Sequence, residues 1–227
     1  MARRVTVELR KDYIFLVSLV MMKSSYLLAA CIIGLALFAA LFMAVVGGAA
    51  SILRIDAAVR EFALARPLYW FWSTITQFGG PVILIILIAA AMFLLRKRRQ
   101  DLVLFCGVTA VGFVLNIVFK AAAGRLRPDQ VAGVGNSFPS GHTLMATVVY
   151  GSLLVILWRN PSWKWKKALW LLPVLIILVA WSRVMVGAHW LSDIAGGLCL
   201  GVGIVAGVLF LQGFIGQWAK KAKSARR

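Results

Sequence analysis

The chain alternates long apolar runs with short charged intervals, and it does so six times. Residues 26–48, 76–95, 102–119, 143–158, 168–184 and 191–214 carry almost no charge. About 20 apolar residues in a helix cover the hydrocarbon core of a bilayer, so each run predicts a membrane-spanning helix, the fourth beginning a few residues before 143. Pro173 falls inside the fifth run, where neighbouring helices accommodate a kink. The expected fold class is all-α, a bundle of six transmembrane helices. The sixth run contains Gly197-x3-Gly201 and Gly203-x3-Gly207. Small residues at this spacing let helices approach closely, and they are read as packing within the bundle rather than as a dimer contact.

The basic residues give the runs a direction. Of the 25 Lys and Arg residues, 18 precede the first run, join the second to the third, join the fourth to the fifth, or follow the sixth. Six spans put all 18 on one side, which the positive-inside rule makes cytoplasmic. Both termini are therefore expected inside. Residues 1–25 read as a basic interfacial segment, residues 26–219 as the six-span domain and residues 220–227 as a basic cytoplasmic tail. In the first external connection, Val59, Phe62, Ala63 and Tyr69-Trp70-Phe71-Trp72 suggest a helix lying at headgroup depth, broken at Pro67.

The chain of 227 residues is 62% hydrophobic, against about 45–50% in soluble domains. Its net charge of +18 would point to nucleic acid in a soluble basic domain. Here the membrane sorting of the charges accounts for it, so the expected partners are the bilayer and a lipid, not nucleic acid. Cys31, Cys106 and Cys199 lie far apart within apolar runs. They read as small buried hydrophobes with no zinc or disulfide spacing.

Three polar clusters remain, and the six-span arrangement puts them all on the external side. The first is Lys120-x6-Arg127-Pro128, with Arg125 inside it. The second is Pro139-Ser140-Gly141-His142. The third is Ser182-Arg183-x5-His189-x3-Asp193. His142 and His189 are the chain's two histidines. Spaced four apart on a helix, His189 and Asp193 share a face, and a carboxylate on one ring nitrogen leaves the other basic and nucleophilic. The same spacing also serves an Asp that caps a helix beside an interfacial His. Arg183 at a span end either snorkels to the surface or meets a partner, and its planar fork suits a phosphate. Ser140 at the start of the fourth helix serves as a cap, an acceptor or a donor to phosphate, and helix N-termini attract anions. Lys120 and Arg127 are favoured as anion ligands. Arg125 is the weaker candidate for the anion, and its position in the sequence assigns it no role of its own.

These three clusters, in this order and with these spacings, resemble the type-2 phosphatidic acid phosphatase family of integral-membrane lipid phosphate phosphatases. The resemblance runs from Lys120 to Asp193 without a departure from the family pattern. It implies that His189 attacks phosphorus to form a phosphohistidine, that Asp193 orients it, and that His142 protonates the leaving oxygen and then activates water. It further implies that Lys120, Arg127, Ser140, Gly141 and Arg183 hold the phosphoryl oxygens, and that neither metal nor other cofactor is required. The implied substrates are phosphatidic acid, phosphatidylglycerol phosphate, undecaprenyl diphosphate and lipid A phosphates, at a site facing the periplasm from a bacterial inner membrane. The alternative on the same site is a lipid-linked phosphotransferase. Vanadium haloperoxidases share the motifs but are soluble. A transporter would place its charges near the bilayer midplane on broken helices rather than at span ends.

Overall fold

Residues 24–65, 68–128, 135–159 and 166–224 are described in the computed structural model, with side chains to residue 215. The segment 1–23, Arg66, Pro67, Asp129, Lys164 and the side chains of the basic tail lie outside the described residues. Every described element is helical: α1 (Ser24–Val46), α2 (Ala50–Leu64), α3 (Tyr69–Thr76), α4 (Pro81–Leu95), α5 (Arg99–Ala123), α6 (Gly141–Trp158), α7 (Leu171–Met185) and α8 (Leu191–Ser224), with 3-10 turns at Gln77–Gly79 and Lys166–Trp170. Six stretches are long and apolar enough to cross a membrane: α1, Tyr69–Leu95, α5, α6, Lys166–Met185 and Leu191–Ile215. The protein is thus a multi-pass membrane bundle, with the six spans in the order the hydropathy predicts.

The radial pattern is the reverse of a soluble protein's. Large apolar side chains such as Ile33, Ile85, Phe93, Val103, Phe113 and Ile177 point outward, whereas Thr143, Thr147, Ser152, Ser182, Arg183, His189 and Asp193 are buried. A bilayer is a good solvent for the former, and the latter must find partners inside. Buried hydroxyls of Thr147, Ser152 and Ser182 turn back to carbonyls of their own helices, Thr143, Val149 and Val179, at 2.7–3.0 Å.

Helix α8 packs on α1, α2, α5, α6 and α7, and its glycines set two of these contacts. On one face a Cβ added at Gly197 would lie 2.9 Å from the Ser140 carbonyl, and one at Gly201 would lie 2.7 Å from Thr147 Cβ. On another face a Cβ at Gly203 would lie 2.9 Å from Leu35 Cδ2, and one at Gly207 would lie 3.0 Å from Cys31 Sγ. The two small-residue steps therefore seat α6 and α1, which is the intra-bundle use expected of them. All three cysteines are free and half-buried, shallower than their reading as buried hydrophobes because their helices face lipid on one side.

One local result departs from the sequence reading. The second span begins at Tyr69 rather than Thr76. The aromatic segment Tyr69–Trp72, assigned above to an interfacial helix, instead opens this span as α3, which packs on α7. The span is then interrupted by the 3-10 turn before Pro81. The Phe78 carbonyl freed there accepts a hydrogen bond from the Tyr150 hydroxyl of α6, a partner of the kind a carbonyl within a membrane requires. Helix α2, by contrast, forms in the first connection as expected and carries the Val59–Ala63 face. It packs that face on Ala180 and Val184 of α7 and Ile194 of α8.

Candidate active site

Four helix ends meet at one end of the bundle: the C-termini of α5 and α7 and the N-termini of α6 and α8. Each brings one part of the polar clusters. Helix α7 stops at Met185, and Gly187 takes a left-handed φ of 73° that a side chain would disfavour. The chain then folds back, so that the amides of Ala188 and His189 both donate to the Arg183 carbonyl at 3.1 Å. His189 is thereby fixed beside Arg183 before α8 begins.

Asp193, in the first turn of α8, is fully buried. Its Oδ2 accepts the Trp190 amide at 2.9 Å and faces His189 Nδ1 at 3.2 Å. The two sequence alternatives for Asp193 are therefore both realised: it reaches back to cap its own helix, and it holds the imidazole. With the proton on Nδ1, the Nε2 lone pair is left unprotonated. Burial pushes the His189 imidazole down to about 4 against the opposing hydrogen bond and charge of Asp193, and Arg183 and Lys120 push it the same way as burial. At pH 7 it is neutral, as a nitrogen nucleophile must be.

The second cluster is tied directly to the third. The Ser140 amide donates to the Asp193 carbonyl at 3.0 Å, which brings the start of α6 against the start of α8. Ser140 is the N-cap residue by position, yet its hydroxyl makes no capping bond; it accepts from Thr143 Oγ1 at 3.1 Å instead. The capping option is not used, and the amides of Gly141, His142 and Thr143 precede the first intrahelical bond, Leu144 N–H to the Ser140 carbonyl. Such amides are a ready anion site. His142 is half-buried and lies within electrostatic reach of Arg183, His189, Arg127 and Lys120.

The first cluster closes the ring. Lys120 Nζ donates to the carbonyls of Asn136 at 2.6 Å and Ser137 at 3.3 Å, and Asn136 Nδ2 returns a bond to the Lys120 carbonyl at 2.7 Å. Arg127 Nε donates to the Gly135 carbonyl at 3.2 Å. Both cations are thus laced to the segment that leads into Ser140. Arg183 is buried rather than snorkelling, and its Nη1 donates to Thr76 Oγ1 at 2.7 Å. The structure therefore brings Lys120, Arg127, Ser140, Gly141, His142, Arg183, His189 and Asp193 to one end of the bundle, where two imidazoles, backbone amides and three cationic side chains gather near one carboxylate.

Sequence reasoning passed over four further residues. Arg125, ranked the weaker anion ligand, is the cation in direct contact with Asp193, at 2.8 Å. Asp56 of α2 is the other carboxylate that Arg125 grips, at 2.6 Å. Thr76 is the partner of Arg183. Asn116, one turn before Lys120 on α5, lies against Gly141, and its Oδ1 is buried without a hydrogen-bond partner. Two signals were present: Asp56 is one of only seven acidic residues in the chain, and Asn116 is an amide inside an otherwise apolar span.

Known proteins are similar to this chain in sequence and in fold. The family model of the PAP2 superfamily matches residues 101–216. Phosphatidylglycerophosphatase B of Bacillus subtilis is 34% identical over 112 residues, covering 47% of this chain and 55% of that protein. An undecaprenyl-diphosphatase of Sulfolobus acidocaldarius is 32% identical over 101 residues, covering 40% and 45%. The chain spans about half the length of these curated relatives. A crystal structure of the transmembrane PAP2-type phosphatidylglycerolphosphate phosphatase from Bacillus subtilis superposes with a TM-score of 0.68 at 31% identity, over 82% of this chain and 96% of that one. The family match covers just over half of the chain and contains all three polar clusters, so this chain belongs to the PAP2 superfamily.

Proposed function

We propose that the protein is a membrane lipid phosphatase that hydrolyses a phosphomonoester or diphosphate through a phosphohistidine at His189. The observation that carries this reading is the His189 Nδ1–Asp193 Oδ2 contact at 3.2 Å, on a fully buried carboxylate. It leaves Nε2 as a neutral nucleophile among cations from other helices. His189 Nε2 forms the bond to phosphorus while the bond from phosphorus to the lipid oxygen breaks, and His142 gives that oxygen its proton. His142, now a base, takes a proton from water as the water oxygen displaces Nε2 and releases inorganic phosphate. Lys120, Arg127, Arg183, Ser140 and the Gly141 amide hold the equatorial oxygens. Phosphoryl transfer rewards positioning and charge neutralisation of this kind, and the covalent intermediate divides one difficult step into two.

The substrate classes are those implied above: phosphatidic acid, phosphatidylglycerol phosphate, undecaprenyl diphosphate and lipid A phosphates. The names of the relatives support lipid phosphates as the class. Among the described residues no three His, Cys, Asp or Glu side chains gather as a metal ion would need, and the three cations supply the charge that a metal would otherwise bring. Detergent-solubilised protein is therefore expected to release inorganic phosphate from at least one of these four lipids at a rate within about twofold of its untreated value after EDTA. No release from any of them refutes the reading, and EDTA inhibition reversed by added metal refutes the cation-only site.

The site is further proposed to face the external side, with both termini cytoplasmic, because the positive-inside residues flank the opposite ends of the spans. A cysteine placed at Leu126, which is exposed beside the site, is expected to react with a membrane-impermeant maleimide added to intact cells. Reaction only after lysis would invert the orientation.

A further inference from the structure

Asp193 is not held by His189 and its own helix alone. Its Oδ1 accepts from Arg125 Nη1 at 2.8 Å, and Nη2 of the same guanidinium donates to Asp56 Oδ2 at 2.6 Å. Asp56 is buried to 2% exposure on α2, more than sixty residues away in sequence. Its carboxylate also takes the Ser192 amide at 2.9 Å and the Ser192 hydroxyl at 2.6 Å, both in the first turn of α8. Arg125 Nη1 bonds the Ser192 oxygen as well, at 2.6 Å. The Trp190 ring lies 5.4 Å from the Arg125 guanidinium carbon and is anchored through Nε1 to the Leu126 carbonyl at 3.0 Å.

We propose that Arg125 and Asp56 are positioning residues for the nucleophile: a relay Asp56–Arg125–Asp193–His189 that sets the plane of the Asp193 carboxylate and so the orientation of the imidazole. This rests on the reading of His189 as nucleophile. A carboxylate with no solvent exposure is costly unless it is paired and its lone pairs are filled. Asp193 meets this condition by turning one oxygen to Arg125 and the other to His189 and the Trp190 amide. A rotation that breaks one contact therefore breaks the other. The guanidinium is the one side chain that can bridge two carboxylates with separate, parallel donors, and a lysine ammonium lacks that fork. Asp56 fixes the far end of the fork and at the same time occupies the N-terminus of α8, so helix α2 is joined to the aim of a catalytic group that it does not touch.

The test measures phosphate release from dioctanoyl phosphatidic acid in mixed detergent micelles by the full-length protein. Arg125→Met is expected to lower kcat about 100-fold while changing KM less than about threefold, because a guanidinium that grips Asp193 orients the reacting group rather than binding substrate. Asp56→Asn is expected to lower kcat about tenfold. On an Asp193→Asn background, adding Arg125→Met is expected to cost less than about threefold more, since residues that act as one unit are not additive. Arg125→Lys keeps the charge without the fork and carries the test if Arg125→Met does not fold; it is expected to lose about tenfold in kcat. A folded Arg125 variant with kcat within threefold of the parent overturns the relay, as does an undiminished loss on the Asp193→Asn background. A His189→Ala arm separates the two ideas. Activity lost there but kept in Arg125→Lys removes the relay alone, whereas activity surviving there removes the nucleophile and the relay with it.

Discussion

His189→Ala is expected to lower phosphate release by about 10⁴-fold or more, the scale on which enzymes lose turnover when a covalent nucleophile is deleted. The residual rate would come from the cations and α6 amides, which still bind and polarise the phosphoryl group. The fold should survive, because Asp193 keeps its bonds from Arg125 at 2.8 Å and from the Trp190 amide at 2.9 Å, and the vacated volume lies at the end of the bundle rather than in its middle. The same variant should also lose any acid-labile, base-stable phosphoenzyme trapped with radiolabelled substrate, since that lability belongs to a phosphorus–nitrogen bond. His142→Ala, by contrast, should slow turnover yet still form the phosphoenzyme from a substrate with a good leaving group, because its proposed task is proton transfer. Normal turnover in His189→Ala, or a phosphoenzyme that persists in it, contradicts the assignment.

What was legible in the sequence, and what was not, follows from how far each feature reaches. The six spans could be read from hydropathy because a bilayer imposes a length on every helix that crosses it. The meeting of the three clusters could be read from parity: six spans put the ends of the third and fifth and the starts of the fourth and sixth on one side, and the Ser140 amide indeed bonds the Asp193 carbonyl. Asp56 and Arg125 were not legible as a pair, because 69 residues separate them and neither spacing nor hydropathy records the contact. Thr76 was hidden in the same way, 107 residues from Arg183. Arg125 was ranked the weaker cation for the same reason, since nothing in its spacing records the two buried carboxylates it meets. Tyr69–Trp72 was misplaced for a different one: Trp and Tyr favour the interface on average, but here they open a span that packs on α7. The three options open for Ser140 could not be separated from the sequence, because the Thr143 hydroxyl that donates to it becomes its neighbour only once the helix forms.

The fold and the site are most tightly coupled at Gly197, and Gly197→Leu is expected to damage both. A Cβ there would lie 2.9 Å from the Ser140 carbonyl, 3.1 Å from Thr143 Cβ and 3.2 Å from the Leu144 amide nitrogen. Two of these three are backbone atoms, so no rotamer change relieves the contact, and α6 must move away from α8. Overpacking of this kind costs about 1–3 kcal/mol. The movement would also act on the chemistry, because the atoms met are those of the turn that carries Ser140, Gly141 and His142, while α8 carries Asp193 and is preceded by His189. A shift of about 1 Å between reacting groups is enough to lose about 100-fold in rate. Gly197→Leu is thus expected to lower the melting temperature in detergent and to reduce kcat by about 100-fold or more. Gly213→Leu, on the same helix but with nothing within 4 Å of its added Cβ, should leave both close to the parent values. If Gly197→Leu melts and turns over like Gly213→Leu, then α6 and α8 do not need their close approach, and the convergence of the two histidines must be maintained by something other than the packing described here.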